Sequence, residues 1–261
     1  MKMWYLILIY SCFIGCSTYL PEKNAESIIN NVQKEQVIVE SDDWQKILEE
    51  TDKQDAIFKE PQKIKEWIQR YRQEILWNGG NADLLFLYGR MLGFLHRPED
   101  SVLFFYRALD FDKNSIWAYY GLGMYYLQKQ AHFQATTYFN KCEELHKNFA
   151  PLYEARAKMT QNNLAQAIFN MKKACNILPT RASYWHNLGN LYLQAKEKEK
   201  GEESLCQAMQ LQPHNISILK DLALFYLVEK QNTKALLILE KILNICPQEQ
   251  KKQWENLMDS L

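Results

Sequence analysis

Neither sign of charge predominates in this chain. Lys and Arg number 31, Asp and Glu number 31, and the formal net charge is zero. A nucleic-acid binder is expected to carry a basic face, a zinc-spaced Cys/His set or a recognition helix; none is legible here, so no nucleic-acid partner is expected. Histidine is sparse: His96, His132, His146, His186 and His214 are scattered, with no H-E-x-x-H and no His/Cys cluster. That leaves no metal site to expect. A Gly-rich phosphate loop and a G-x-S-x-G nucleophile elbow are missing too. With no catalytic constellation, the chain is expected not to be an enzyme and to use no cofactor and no small-molecule substrate.

Aromatic side chains, by contrast, make up 13% of the residues, which suits interlocking helices better than disorder. Their spacing is regular. In residues 182–215, Trp185, Leu188, Gly189 and Tyr192 fall at i, i+3, i+4 and i+7 of one helix, and Gly201, Leu205 and Ala208 share one face of a second. A glycine inside a helix costs about 1 kcal/mol relative to alanine, so a small residue held at one register marks two backbones in close approach. Pro213 then ends the second helix. The first-helix small residue recurs at Gly89, Gly123, Ala157, Gly189 and Ala223, at intervals of 34, 34, 32 and 34. The second-helix position recurs at Ala108, Cys142, Ala174, Ala208 and Ile242 with the same intervals. Two marks sharing one irregular interval define five units. Such a period overrides the length prior, because a stacked array grows unit by unit.

These marks match the W-x2-L-G-x2-Y…A-x3-F-x2-A…P pattern, and the chain resembles tetratricopeptide-repeat proteins, in particular bacterial lipoproteins of that family. The resemblance implies an all-α fold: a right-handed superhelix, or α-solenoid, of helix-turn-helix repeats with capping helices at both ends. The repeats are expected at 82–115, 116–149, 150–181, 182–215 and 216–249. Residues 42–80, with Pro61 opening the stronger segment, are expected to form N-terminal capping helices, and 250–261 a C-terminal one carrying Trp254, Leu257, Met258 and Leu261. The third unit is two residues short between Ala157 and Ala167, which places the loss in the turn near Thr160 to Asn163 and predicts a local change of curvature.

Residues 1–15 read as a signal peptide. Lys2 precedes an apolar run from Met3 to Ile14, which ends at Phe13-Ile14-Gly15-Cys16. This resembles a bacterial lipoprotein signal, although Phe13 stands where Leu is usual and Ile14 where a small residue is common. The resemblance implies lipidation of Cys16, anchoring at about 0.8 kcal/mol per buried CH2, a flexible tether over 16–41, and a body in the bacterial cell envelope, on a periplasmic membrane face or the cell surface. The alternative is an uncleaved transmembrane anchor over Met3 to Leu20. Of the remaining cysteines, Cys142, Cys175, Cys206 and Cys246 lie in separate repeats; buried thiols are expected, with disulfides as the alternative for an exported chain.

In the proteins this chain resembles, the first helices line a concave groove, and ligand contacts come from the second, fifth, ninth and twelfth positions of each repeat. The fifth and ninth positions here are Phe86 and Arg90, Tyr120 and Met124, Glu154 and Lys158, His186 and Asn190, and Lys220 and Leu224; Asp83 and Trp117 occupy second positions. The resemblance therefore implies a protein or peptide segment held by Phe86, Arg90, Trp117, Tyr120, Met124, Glu154, Lys158, His186, Asn190 and Lys220. The helix from Ile116 to Leu127 is apolar nearly all round, which singles out Trp117, Tyr120 and Met124 as anchors. The alternative is that they are core, or lie beneath the N-terminal segment. Asn190 matches a carboxylate-clamp position, but His186 and Asp221 replace the Lys and Asn that complete one. The function expected is a membrane-anchored adaptor in assembly of an envelope complex (a pilus, secretin or outer-membrane machine), with a permanent structural subunit or a membrane-anchored cytoplasmic cochaperone as alternatives.

Overall fold

The computed structural model describes residues 44–57 and 60–259. The expected signal peptide, Cys16 and the tether lie outside the described residues. Among the described residues all regular structure is helical, and no helix is long and apolar enough to cross a membrane.

Five hairpins follow one another: α3 (Ala82–Phe94) with α4 (Pro98–Phe111), α5 (Ile116–Gln128) with α6 (His132–Leu145), α7 (Ala150–Met159) with α8 (Leu164–Ile177), α9 (Ala182–Gln194) with α10 (Lys198–Leu211), and α11 (Ile216–Val228) with α12 (Asn232–Ile245). They are preceded by α1 (Trp44–Ala56) and α2 (Pro61–Asn78) and followed by α13 (Gln248–Asp259). Local chemistry starts several of them. Asn81 accepts a hydrogen bond from the Leu84 N–H at 2.7 Å, and Ser115 and Asn215 cap α5 and α11 in the same way, each satisfying an amide the helix leaves unpaired. Pro61 and Pro98 open α2 and α4 at positions that need no N–H donor.

The expected all-helical repeat fold is the one observed, and its marks sit where helices touch. Ala108, Cys142, Ala174, Ala208 and Ile242 are all fully buried. A Cβ added to Gly123 would collide with the ring of Phe139, itself fully buried, and one added to Gly189 would meet Leu205. The hairpin turns share a second feature. His96, Gln130, Lys196 and Lys230 all adopt positive φ, between 56° and 63°, although each carries a side chain that disfavours it. The third hairpin has no such residue. Its first helix ends after 10 residues where the others run to 13, while its connection, residues 160–163, is one residue longer than the rest, so the net loss of two comes from the last turn of α7 and not, as expected, from the turn.

Trp254 and Met258 of α13 pack onto the core of the last hairpin. At the other end, the two helices before the repeats take different positions. Helix α2 packs on α3, and Gly79, in the left-handed region at φ 77°, stops it. Helix α1 runs instead into the concave side of the array.

Candidate functional site

The first helices of the repeats present their fifth and ninth positions to a groove, and α1 lies across it. Arg90 on α3 and Arg181, at the N-cap of α9, both reach the same helix. Asp52 receives Arg181 through two hydrogen bonds, Nη1 to Oδ2 at 2.7 Å and Nη2 to Oδ1 at 2.5 Å. Asp55 receives Arg90 Nη2 at 2.6 Å, while Arg90 Nη1 donates to Gln54 Oε1 at 3.0 Å and to the Thr51 carbonyl at 3.2 Å. Gln54 is 0% exposed, and its other end is equally fixed: Nε2 donates to the Leu87 carbonyl at 3.1 Å and to the Tyr71 hydroxyl at 3.2 Å. A buried amide satisfied on both sides sets the register of α1 against α2 and α3. At the far end, the Trp44 ring meets His146 and Phe149 edge-on, at 6.4 and 5.5 Å.

Beside α1 remains a cavity of ≈ 820 Å³, within the range of about 300–1,000 Å³ usual for ligand clefts. One face of α1 supplies Leu48, Thr51, Asp52 and Asp55 to it. Its floor is aromatic: Phe86 lies 5.1 Å from Trp117 between ring centroids, and Trp117 lies 5.5 Å from Tyr120 and 4.9 Å from Phe149 in edge-on contacts. Met124, Glu154 and Lys158 complete the lining on the side of α5 and α7. Charges come in pairs, Asp52 with Arg181, Asp55 with Arg90 and Glu154 with Lys158, the last at 2.8 Å. Burial raises the ionisation of the Tyr120 and Tyr184 hydroxyls, and the Glu154 carboxylate adds to both shifts. Both stay neutral at physiological pH. Burial alone would lower the Arg181 guanidinium, but its bonds to Asp52 outweigh that and push it up.

Phe86, Arg90, Trp117, Tyr120 and Met124 thus line one cavity, together with Glu154 and Lys158. Their individual positions differ from expectation. Phe86 and Trp117 are only 1% and 3% exposed and pack as floor, so they offer a partner almost no surface. Arg90 is already engaged by α1. His186, Asn190 and Lys220 do not line this cavity. His186 Nε2 lies 2.7 Å from Asp221 Oδ2, and Asn190 Nδ2 donates to the same oxygen at 3.0 Å, so an internal carboxylate occupies the place between them; Lys220 is exposed. Asp52, Asp55, Gln54 and Arg181 went unnoticed at the level of sequence. The stripe of Trp44, Ile47 and Leu48 marks α1 as amphipathic, but nothing local says which surface it covers.

Stacked helical hairpins around a groove of this size define a solenoid interaction protein. Residues 182–215 match the family model of the tetratricopeptide repeat, and the paired helices around them match the superhelical fold of tetratricopeptide-repeat structures. The chain is similar to human protein O-mannosyl-transferase TMTC3, at 26% identity over 191 residues, which are 71% of this chain but 21% of that protein. Among solved structures it resembles yeast Tom70, with a TM-score of 0.64 and 14% identity over 75% of this chain and 42% of that one. It also resembles Pseudomonas aeruginosa pilF, with a TM-score of 0.56 and 20% identity over 64% and 77%. At these identities the structural likenesses are of fold. Repeats of this family serve protein–protein interaction, which is the function class of the chain.

Proposed function

We propose that the chain is a non-enzymatic scaffold, tethered to a membrane through a lipidated Cys16, that holds a segment of a protein partner in its concave groove during assembly of a bacterial envelope complex. The observation that carries the groove reading is the ≈ 820 Å³ cavity: an aromatic floor edged by charged pairs suits an apolar anchor flanked by polar groups. The envelope setting rests on the lipoprotein-like run that ends at Cys16. The test is a photo-crosslinking residue at Met124, or separately at Lys158, in cells, with the same residue at exposed Lys220 as the comparison. Capture of one protein from the first two positions, and not the third, is the expected result. Capture equal at all three, or at none, overturns the groove assignment. Mass spectrometry of the mature N-terminus tests the tether: a chain that retains Met1 and carries no lipid on Cys16 rules out that mode of anchoring.

A second reading, a permanent subunit of a larger complex, is favoured by apolar side chains left outside the core, above all Trp77 at 85% and Phe133 at 83% exposure. A stoichiometric partner that survives high salt during purification in detergent supports it, and one competed away by a groove peptide supports the adaptor.

A further inference from the structure

The groove already has an occupant, and the way it is held says what else fits. Helix α1 is held on one face by buried Ile47, Leu48 and Gln54 and across the groove by two charge pairs, Asp52 on Arg181 and Asp55 on Arg90. Without it, the groove walls keep Arg90, Lys158 and Arg181 against the single carboxylate of Glu154, around Phe86 and Tyr120. That surface is complementary to an amphipathic helix with acids along one edge and an aliphatic or aromatic stripe beside them. Helix α1 has that character, with Trp44, Ile47 and Leu48 ahead of Asp52 and Asp55.

Its fit is incomplete. Asp52 and Asp55 are 45% and 53% exposed in their pairs, so solvent and salt weaken both. The ≈ 820 Å³ beside α1 leaves its Asp52 and Asp55 edge open to the groove, while its opposite face is packed. Residues 57–60 join α1 to α2, so a helix displaced from the groove stays tethered to it.

Resting on the groove reading above, we propose that α1 is a resident competitor, and that the external ligand of the groove is an acidic amphipathic helix of a partner protein, which replaces α1 on Arg90 and Arg181. Binding is then an exchange of helices, and the seated fraction of α1 sets how far the apparent affinity falls below the intrinsic one.

The test uses a labelled peptide of residues 44–56 and two full-length chains, one unmodified and one carrying Asp52→Lys with Asp55→Lys to unseat α1. The peptide is expected to bind the substituted chain at least about tenfold more tightly, and a peptide bearing the same two lysines is expected to bind neither. In the unmodified chain, excess peptide is expected to speed hydrogen exchange in α1 while slowing it in α3 and α9. This second measurement decides the matter by itself if the substituted chain misfolds. Equal affinity for the two chains, binding indifferent to the peptide's charge, or binding that leaves α1 exchange unchanged overturns the proposal. So does a substituted chain that dimerises and shuts the peptide out, since the occupant is then a second copy. Partner capture at Met124 that persists after any of these outcomes leaves the groove reading standing, whereas lost capture there removes the groove reading itself.

Discussion

Asp52 and Arg181 stand 129 positions apart in the chain and meet in a two-pronged ion pair, with one hydrogen bond from each guanidinium Nη. With Asp55 on Arg90, this pair makes α1 a strut between the first repeat and Arg181 at the junction of the third and fourth. A double-mutant cycle of Asp52→Ala and Arg181→Ala is expected to give a coupling of about 1 kcal/mol, near the upper end for partly exposed pairs because the geometry is bidentate. The coupling should shrink in high salt. Hydrogen exchange of α1 amides reads it directly; an uncoupled pair would mean that Gln54 and the apolar stripe hold the helix unaided.

Trp117 and Met124 separate a folding role from a contact role. Trp117 is packed among Phe86, Tyr120 and Phe149, and truncation to alanine should cost about 3–5 kcal/mol in urea unfolding. Met124 is only partly buried at the cavity wall. Met124→Ala should cost well under half as much while weakening partner capture. Equal losses of stability would show that both residues are core.

How much of this was legible in the sequence depended on whether the deciding contacts were local. The repeats were readable because Gly123 and Phe139, or Gly189 and Leu205, meet within one hairpin, and the same requirement returns every 34 residues or so. Placement of Phe86, Tyr120, Met124 and Glu154 on one groove followed from the resemblance to the repeat family, whose fifth and ninth positions they occupy. What the period could not show was the difference between floor and anchor, since Trp117 and Tyr120 lie on one apolar stripe and differ only in what packs over them. Nor could it place α1, whose partner Arg181 ends the third repeat, at the N-cap of α9, where no repeat mark falls. His186 and Asn190 share the groove register, but Asp221 from the next repeat occupies them, a contact that depends on how adjacent hairpins stack.

Gly123→Ala is expected to destabilise the array despite the better helix propensity of alanine. Propensity favours the substitution by about 1 kcal/mol, but the new methyl would overlap the Phe139 ring, which is fully buried and has nowhere to retreat. Overpacking of that kind costs about 1–3 kcal/mol. A net loss of roughly 1 kcal/mol in urea unfolding is the expected result, and a gain would mean that α5 and α6 can separate without penalty.

The thiols offer a test of packing in the native chain. Cys142 and Cys175 are buried, and burial pushes both up, Cys175 to about 12; Cys206 is partly exposed. Because the thiolate is the reacting species, iodoacetamide at about pH 8 should modify Cys206 at least about a hundredfold faster than Cys142 or Cys175. Mapping the adducts by mass spectrometry checks this, and denaturant should abolish the difference. Comparable rates in the native chain would place Cys142 outside the contact between α5 and α6.

Glu202 ties the fourth repeat to the fifth, accepting from Lys234 Nζ at 2.8 Å and from the Tyr226 hydroxyl at 3.0 Å. The bond from Lys234 is the main reason its carboxyl titrates below the usual range; burial opposes the shift and the Tyr226 bond reinforces it. A carboxyl lowered in the folded state contributes stability that is fully present above its unfolded value of about 4.3 and lost as pH falls through the lower, folded value. Glu202→Gln should therefore reduce stability near neutral pH by roughly 0.5 kcal/mol, allowing for the partial exposure of the pair, and have almost no effect near pH 2. The difference between the two chains, followed by urea unfolding across that window, should close on the acid side only. A gap that stayed constant with pH would mean that the Tyr226 hydroxyl and side-chain packing, rather than the charge on Glu202, join these two hairpins.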